Sequence, residues 1–254
     1  MTKLDMNDVN FLIFCRIDSN DRINNLVTIL SFIRQHFSTN ITILETGTTS
    51  RISPATITQF AADYEFVEDS QEILHLTRYR NMLLNKAQQK IVFFYDTDII
   101  VPPENISRAA ALLRLHPHAL VYPFDGRSYL VNKFYSNIYR KINNFQWFEQ
   151  YPYASTPWFK GTVGGIIGIN RQWALDNGFE NEQLLGWGPE DKERYYRLKK
   201  KGARIIRLPG PLYHLYHERG VNSRPYSEDY SKQNQHIYLN TLMGFNNENI
   251  LPPY

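Results

Sequence analysis

The sequence predicts an α/β fold with a mostly parallel central sheet flanked by helices, and three observations carry that prediction. Apolar runs of strand length alternate with amphipathic segments of helical period through the first half of the chain. Those runs are nearly continuous rather than alternating, as strands buried on both faces require. Charged residues (Arg16, Glu45, Asp69, Asp96 and Asp98) follow the runs, where an open parallel sheet places its ligands.

Residues 9–15 (VNFLIFC) read as the first strand. Ile23, Leu26, Val27, Leu30 and Ile33 then recur at helical spacing, with Asp21 as the expected N-cap. Residues 41–44 form a second strand, and Ser53-Pro54 opens a helix with a cap followed by an N1 proline. Residues 64–67 are a third strand, 72–88 a helix, and 90–95 (KIVFFY) the clearest strand, running directly into Asp96-Thr97-Asp98. Pro103 opens a helix to about residue 115, and 120–122 is another strand. Residues 161–170 (GTVGGIIGIN) read as a glycine-flanked strand. Pro189 starts a helix over about 190–201 that Gly202 stops, 203–208 is a strand, and Ser227 caps a polar C-terminal helix. No linker separates these elements, so one domain is expected over 1–254. Within it the chain divides into 9–125, 126–220 and a helical tail over 221–254.

The 254 residues carry 28 Lys plus Arg against 25 Asp plus Glu, too even a balance to argue for nucleic acid. The single Cys15 excludes an internal disulfide framework and any multi-cysteine metal site. No apolar run reaches the ~20 residues that span a bilayer, and residues 1–8 do not read as a signal peptide, so the cytoplasm is the expected compartment. There is no G-x-G-x-x-G, Walker A or G-x-S-x-G pattern. The aromatics are uneven: eleven of them lie between Tyr129 and Phe159, where even spacing would put about four. Such density asks for a second small core or a stacking surface.

Three groups can carry chemistry. Asp96 and Asp98, directly after a buried strand, are either a solvated turn or oxygen ligands for Mg²⁺ or Mn²⁺. His214 and His217 can meet one metal if their segment turns, and convergence with Asp98 would favour Mn²⁺ because imidazole suits the softer ion. Glu190 and Asp191 sit in the first turn of a helix, where the macrodipole favours acids. Gly186-Trp187-Gly188 beside them offers an aromatic face and carboxylates together, a combination suited to carbohydrate. The basic stretch Lys199, Lys200, Lys201, Arg204 and Arg207 suits a helix C-terminus, with peripheral phospholipid contact a minor reading.

Taken together, the D-x-D pair, the string 164–198 (GGIIGINRQWALDNGFENEQLLGWGPEDKERYYRL) and the downstream histidines resemble a nucleotide-sugar glycosyltransferase of the GT-A fold. The likeness runs over about residues 9–220. It points to the galactosyltransferase-type C-terminal family, shared in outline with chondroitin polymerase and polypeptide GalNAc-transferase domains. The resemblance implies Asp98 and His217 as metal ligands with His214 as a further one, Asp96 near the ribose, and Asp191 as catalytic base. It places Glu190 and Trp187 on the acceptor sugar and lets backbone at Gly164 and Gly165 approach the donor. Arg16, Asp18, Glu45, Arg78 and Asn81 would hold the nucleotide. The resemblance thus implies that 9–125 form a nucleotide-binding half and that 126–220 carry the acceptor and catalytic groups. Tyr151, Tyr153, Trp158 and Phe159, among prolines, read as a loop able to stack on sugar or close over the donor, which tilts the aromatic cluster towards a stacking surface.

The implied activity is metal-dependent, inverting transfer of a hexose or N-acetylhexosamine, galactose-type favoured, from a UDP-sugar to a saccharide or glycolipid acceptor. Pro189 departs from the family's usual glycine, and the absence of an anchor or disulfide pair suggests a bacterial cytoplasmic version. Two rivals stand beside this reading. A haloacid-dehalogenase-type phosphohydrolase would use Asp96 and Asp98, although its motif normally opens the chain. A non-catalytic sugar-binding protein on the same fold would have no need of Asp191.

Overall fold

The computed structural model describes residues 3–244. The early apolar runs become β1 (Leu4–Cys15), β2 (Phe37–Gly47), β3 (Asp63–Glu68) and β4 (Ile91–Tyr95), joined by α1 (Asn20–His36), α2 (Pro54–Gln59) and α3 (Leu76–Lys86). Next come β5 (Ile99–Ile100), α4 (Pro103–Leu115), β6 (Ala119–Tyr122), β7 (Ser128–Val131), α5 (Lys133–Ile142) and α6 (Gln146–Gln150). The chain continues through β8 (Ser155–Pro157), β9 (Ile166–Asn170), α7 (Arg171–Asn177), α8 (Glu190–Lys200), β10 (Arg204–Arg207), β11 (Leu212–His214) and α9 (Glu228–Met243). A seven-stranded sheet has the order β10-β6-β9-β4-β1-β2-β3. Within it β9 alone runs antiparallel to its neighbours β4 and β6. A second sheet, β5-β11-β7-β8, packs its short strands beside the carboxyl end of β4.

The main core follows from the continuous apolar strands. Phe11 on β1 stacks on Phe93 of β4 at 5.5 Å and on Phe37 of β2 at 5.9 Å, all fully buried. Each such ring contributes about 1.5–3 kcal/mol by leaving water. Ser53 accepts a hydrogen bond from the Thr56 amide ahead of Pro54, and Ser227 does the same for Tyr230. At α1 the cap is Ser19, not Asp21: the Ser19 hydroxyl takes the Arg22 amide while Asp21 pairs with Arg140 at 3.1 Å.

Two expectations shift. The helix over 72–88 begins only at Leu76, because residues 71–75 stay non-helical and the Gln71 carbonyl accepts from Arg16. The strand over 161–170 is confined to 166–170, because Gly165 turns with φ +89°. No helix among the described residues is long and apolar enough to cross a membrane. Residues 245–254 of the expected tail lie outside the described part.

Part of the aromatic cluster joins the core rather than a stacking surface, against the tilt towards the latter. Tyr139, Phe145, Trp147 and Phe148 are buried, and Phe148 stacks face to face on Tyr213 of β11 at 3.9 Å. Only Trp158 and Phe159 of the cluster line the main cleft.

Candidate active site

Topology assembles the site. Because β9 runs against β4, its first residue, Ile166, lies opposite Tyr95, the last residue of β4. Gly164 and Gly165 therefore arrive beside the D-x-D pair, and the Asp96 amide donates to the Gly165 carbonyl at 2.8 Å. Immediately after Asp98, Ile99 pairs with His214 in the second sheet, and the Leu215 amide donates to the Asp98 carbonyl at 2.8 Å. Thus the two sheets meet at Asp98, with both histidines on its far side. The resulting cleft has a volume of about 570 Å³, within the range of small-molecule sites.

At one end of this cleft, Asp98 Oδ2 lies 3.1 Å from His217 Nε2 and 3.4 Å from His214 Nε2. His217 Nδ1 is 2.9 Å from the Glu218 carbonyl oxygen, which can only accept, so Nδ1 carries the proton. His217 Nε2 is the nitrogen turned towards the Asp98 carboxylate oxygen. A carboxylate oxygen and an imidazole nitrogen at that separation are joined by a proton or can share a cation. Burial opposes charge on Asp98, yet the two imidazoles and Arg22 hold its carboxyl well below the ordinary range. Burial pushes the His214 imidazole down, towards the neutral form a metal needs. One carboxylate oxygen and two imidazole nitrogens, mutually within 4.8 Å, suit Mn²⁺ or a similar ion.

Asp191 stands on the first turn of α8. Its Oδ1 accepts from Arg80 at 3.1 Å and from Arg194 at 2.7 Å, while Oδ2 takes no hydrogen bond among the described residues. Burial raises its carboxyl, but the two guanidiniums outweigh burial and hold it below the ordinary range. Both arginines also reach the fully buried Glu180, at 3.3 and 2.5 Å, and Arg80 reaches Asp96 at 3.2 Å. A Cβ on Gly164 would overlap Asp191 Oδ2. Glu190 behaves oppositely. Its carboxyl, 6 % exposed, is pushed up to about 8 by burial and then by the charge of Asp191. Burial thus favours its protonated form, with Oε2 accepting the Gly188 amide at 2.9 Å.

The other expected residues divide. Arg16, Asp96, Gly164, Gly165, Trp158, Trp187 and both histidines line the cleft. Trp158 meets His214 edge to face at 5.2 Å with Arg219 over its own ring, and Trp187 is half exposed at the rim. Arg16 is held by Asp69 at 2.5 Å. Glu45 lies behind the cleft wall, where it accepts the Arg51 amide at 2.8 Å and the Tyr64 hydroxyl at 2.6 Å and so shapes residues 50–52. Asp18 borders a separate polar hollow and pairs with Arg22 at 2.9 Å. Arg78 is exposed away from the cleft, and the Asn81 amide group bonds Glu180 and Glu182. The cation that faces the cleft from α3 is Arg80, which the sequence reading passed over, as it did Glu180 and Arg194.

Comparison with known proteins adds to this geometry. A family model described as the N-terminal domain of galactosyltransferase matches residues 146–218, less than a third of the chain. A search of curated sequences finds no match. Among solved structures, GalNAc-T7 with UDP, GalNAc and Mn²⁺ superposes with a TM-score of 0.63 at 12 % identity, over 92 % of this chain and 48 % of its own. The fold is GT-A.

This chain thus spans about half the length of the GalNAc-T7 chain. The catalytic domain of Drosophila β1,4-galactosyltransferase 7 with xylobiose gives 0.55 at 16 % identity, over 91 % and 79 % of the two chains. The glucosyl-3-phosphoglycerate synthase of Mycobacterium tuberculosis, with Mn²⁺, UDP and glucosyl-3-phosphoglycerate, gives 0.53 at 13 %, over 95 % and 82 %. The span matched by the family model holds the GWG-P-ED string and both histidines, so the GT-A cleft and the galactosyltransferase likeness meet in the same residues.

Proposed function

We propose that this protein is a metal-dependent glycosyltransferase that moves a hexose or N-acetylhexosamine, galactose-type favoured, from a UDP-sugar to a saccharide acceptor with inversion. The observation that carries the reading is the convergence of Asp98, His214 and His217 in the same cleft as the arginine-clamped Asp191. A sugar-binding module on this fold would need neither.

Asp98, His214 and His217 would hold Mn²⁺, whose chemistry there is to offset the negative charge that develops on the departing diphosphate. Arg16 and the backbone at Gly165 face the donor. Trp187 offers its half-exposed ring to an acceptor sugar, and protonated Glu190 can donate its carboxyl hydrogen to a sugar oxygen. Asp191 Oδ2 accepts the hydroxyl proton as the acceptor oxygen attacks the anomeric carbon from the face opposite UDP. A carboxylate held below its ordinary range is a weak base. It therefore takes the proton late, when bonding to the anomeric carbon has made that oxygen acidic. Arg80 and Arg194 fix the carboxylate in one orientation, which supports rate through positioning.

The experiment is a thermal-shift panel of UDP-sugars with and without Mn²⁺, followed by UDP release. Ligands that bind the native state alone raise its melting temperature. Mn²⁺ and one UDP-sugar together should raise it in the wild type and not in Asp98→Asn. Asp191→Asn should keep that shift but lose at least about a thousand-fold in transfer. If no UDP-sugar moves the transition, the nucleotide-sugar reading fails; if Asp191→Asn transfers normally, the base assignment fails.

A further inference from the structure

We infer that the exposed edge of α5 carrying Phe134 and Ile142, with the turn at 151–153, is a docking surface for an anionic lipid bilayer. Helix α5 (KFYSNIYRKI) presents the polar outer face usual for a surface helix, through Lys133, Asn137 and Lys141, but leaves the large apolar side chains Phe134 and Ile142 exposed beside it. Its inward residues are Ser136 and Tyr139. At about 100° per residue, Phe134, the half-buried Ile138 and Ile142 form a stripe along one edge of the exposed face, with Lys133, Asn137 and Lys141 on its solvent side. Phe134 is 67 % exposed and Ile142 46 %. The stripe continues through aromatic contacts: Phe134 to Tyr135 at 5.2 Å, Tyr135 to Tyr153 at 6.0 Å, and Tyr153 to Tyr151 at 5.9 Å. Tyr153 is 65 % exposed and Tyr151 40 %.

Chemistry selects lipid over sugar. A saccharide site needs fixed polar groups beside its rings, whereas Phe134 and Ile142 offer none, on the convex side of a helix. Aliphatic and aromatic side chains bordered by lysines are what an interfacial helix presents to headgroups and upper acyl chains. Lys141 supplies the free cation there; Lys133 lies over the Tyr216 ring and borders the hollow lined by Asp18, Asp21 and Glu218, and Arg140 is turned inward to Asp21 and Asn25. The basic stretch near the end of α8 is poorly suited to this task. Lys200 donates to the Thr241 and Leu242 carbonyls, Lys201 to the Asn177 carbonyl and Arg207 to the Thr162 carbonyl. Position gives the surface a use. Strand β8 leads from Tyr153 to Trp158 and Phe159 on the cleft wall, so the patch lies within at most about 17 Å of the cleft along the chain. Docking there would hold the cleft against the membrane, within reach of a lipid-borne acceptor, but the surface itself stands independently of the proposed reaction.

The test is flotation of the full chain with phosphatidylcholine vesicles containing about a quarter phosphatidylglycerol, against phosphatidylcholine alone. The wild type should float with the anionic vesicles and less so as salt is raised. F134S/Y153S should lower partition at least about ten-fold at an unchanged melting temperature, as should F134S alone to a smaller degree. K141E should weaken only the anionic contribution. L242S/M243S, which alters the exposed apolar end of α9, should leave partition unchanged. The inference is overturned if the wild type stays unbound, if F134S/Y153S floats as well as the wild type, or if L242S/M243S is what abolishes binding. It is overturned equally if F134S/Y153S keeps vesicle binding but raises KM for a soluble saccharide, which would make the patch a sugar surface.

Discussion

Asp191 depends on an atom that is missing from its neighbour. Gly164 presents only backbone, and the space a Cβ would fill is occupied by Asp191 Oδ2, the oxygen that neither arginine claims. Gly164→Ala should therefore move the carboxylate rather than obstruct the donor. The expected outcome is a fall in kcat of about a hundred-fold or more with little change in donor affinity, read by steady-state kinetics beside UDP titration. The overpacking itself should cost about 1–3 kcal/mol in denaturant melts. Glu190 makes a second prediction, through pH. Its carboxyl, pushed up to about 8, keeps its proton in the folded chain while the unfolded chain has lost it. Between the ordinary glutamate range and about 8 the folded state binds more protons, so this group's contribution to stability falls as pH rises through that window. Each pH unit removes at most about 1.4 kcal/mol. Glu190→Gln should flatten the slope, gaining in melting temperature relative to the wild type as pH goes from 5 to 8. The D-x-D pair, the ED pair and both histidines were legible in the sequence because their chemistry shows in residue type and order. Arg80 was not. Arg78 and Arg80 lie about 200° apart on a helix, so choosing between them needs the register of α3, which the early start expected at residue 72 left undetermined.

At the scale of elements, legibility followed length and apolar continuity. Strands β1, β2 and β4 stood out because continuous burial writes continuous hydrophobicity. None of the second sheet's strands was legible, since β5, β7, β8 and β11 run two to four residues each, too short to show a period. The aromatic density between Tyr129 and Phe159 was an indirect trace of that sheet: Phe148 covers Tyr213 on β11, and Tyr129 on β7 meets the same ring at 5.7 Å. Strand β9 shows what a reversed direction accomplishes. Running against β4, it delivers its leading glycines to the D-x-D pair instead of to the far edge of the sheet. Its own Gly168 faces Phe93 and Leu113, where a side chain would overlap both. Gly168→Val should destabilise the protein by about 1–3 kcal/mol or more, and urea melts would measure it. If β9 positions the site as a rigid element, the folded fraction of that variant should keep wild-type affinity for UDP.

Across the whole molecule, Arg80 joins parts of the chain that a shared cleft alone would leave independent. From α3 it reaches Asp96 at the end of β4, Asp191 on α8 and Glu180 before α8, so one guanidinium spans the proposed donor and acceptor sides. Arg194 duplicates the contacts to Asp191 and Glu180 but not the one to Asp96. Arg80 is therefore a positioning residue whose loss a second cation covers in part. Lysine keeps the charge but, as a single ammonium on a flexible stem, cannot hold three carboxylates in fixed directions. Arg80→Lys should leave the fold and the Mn²⁺-dependent shift with UDP intact, because the metal ligands and Arg194 remain. Transfer should fall about ten- to a hundred-fold, with the loss in kcat rather than in donor KM, because the orientation of Asp191 is what changes. A pH–rate profile separates this from plain destabilisation. With one clamping guanidinium weakened, Asp191 should titrate closer to the ordinary carboxylate range, moving the acid limb of the profile to higher pH. An unchanged acid limb together with a raised donor KM would instead place Arg80 on the nucleotide, with Asp191 held by Arg194 alone.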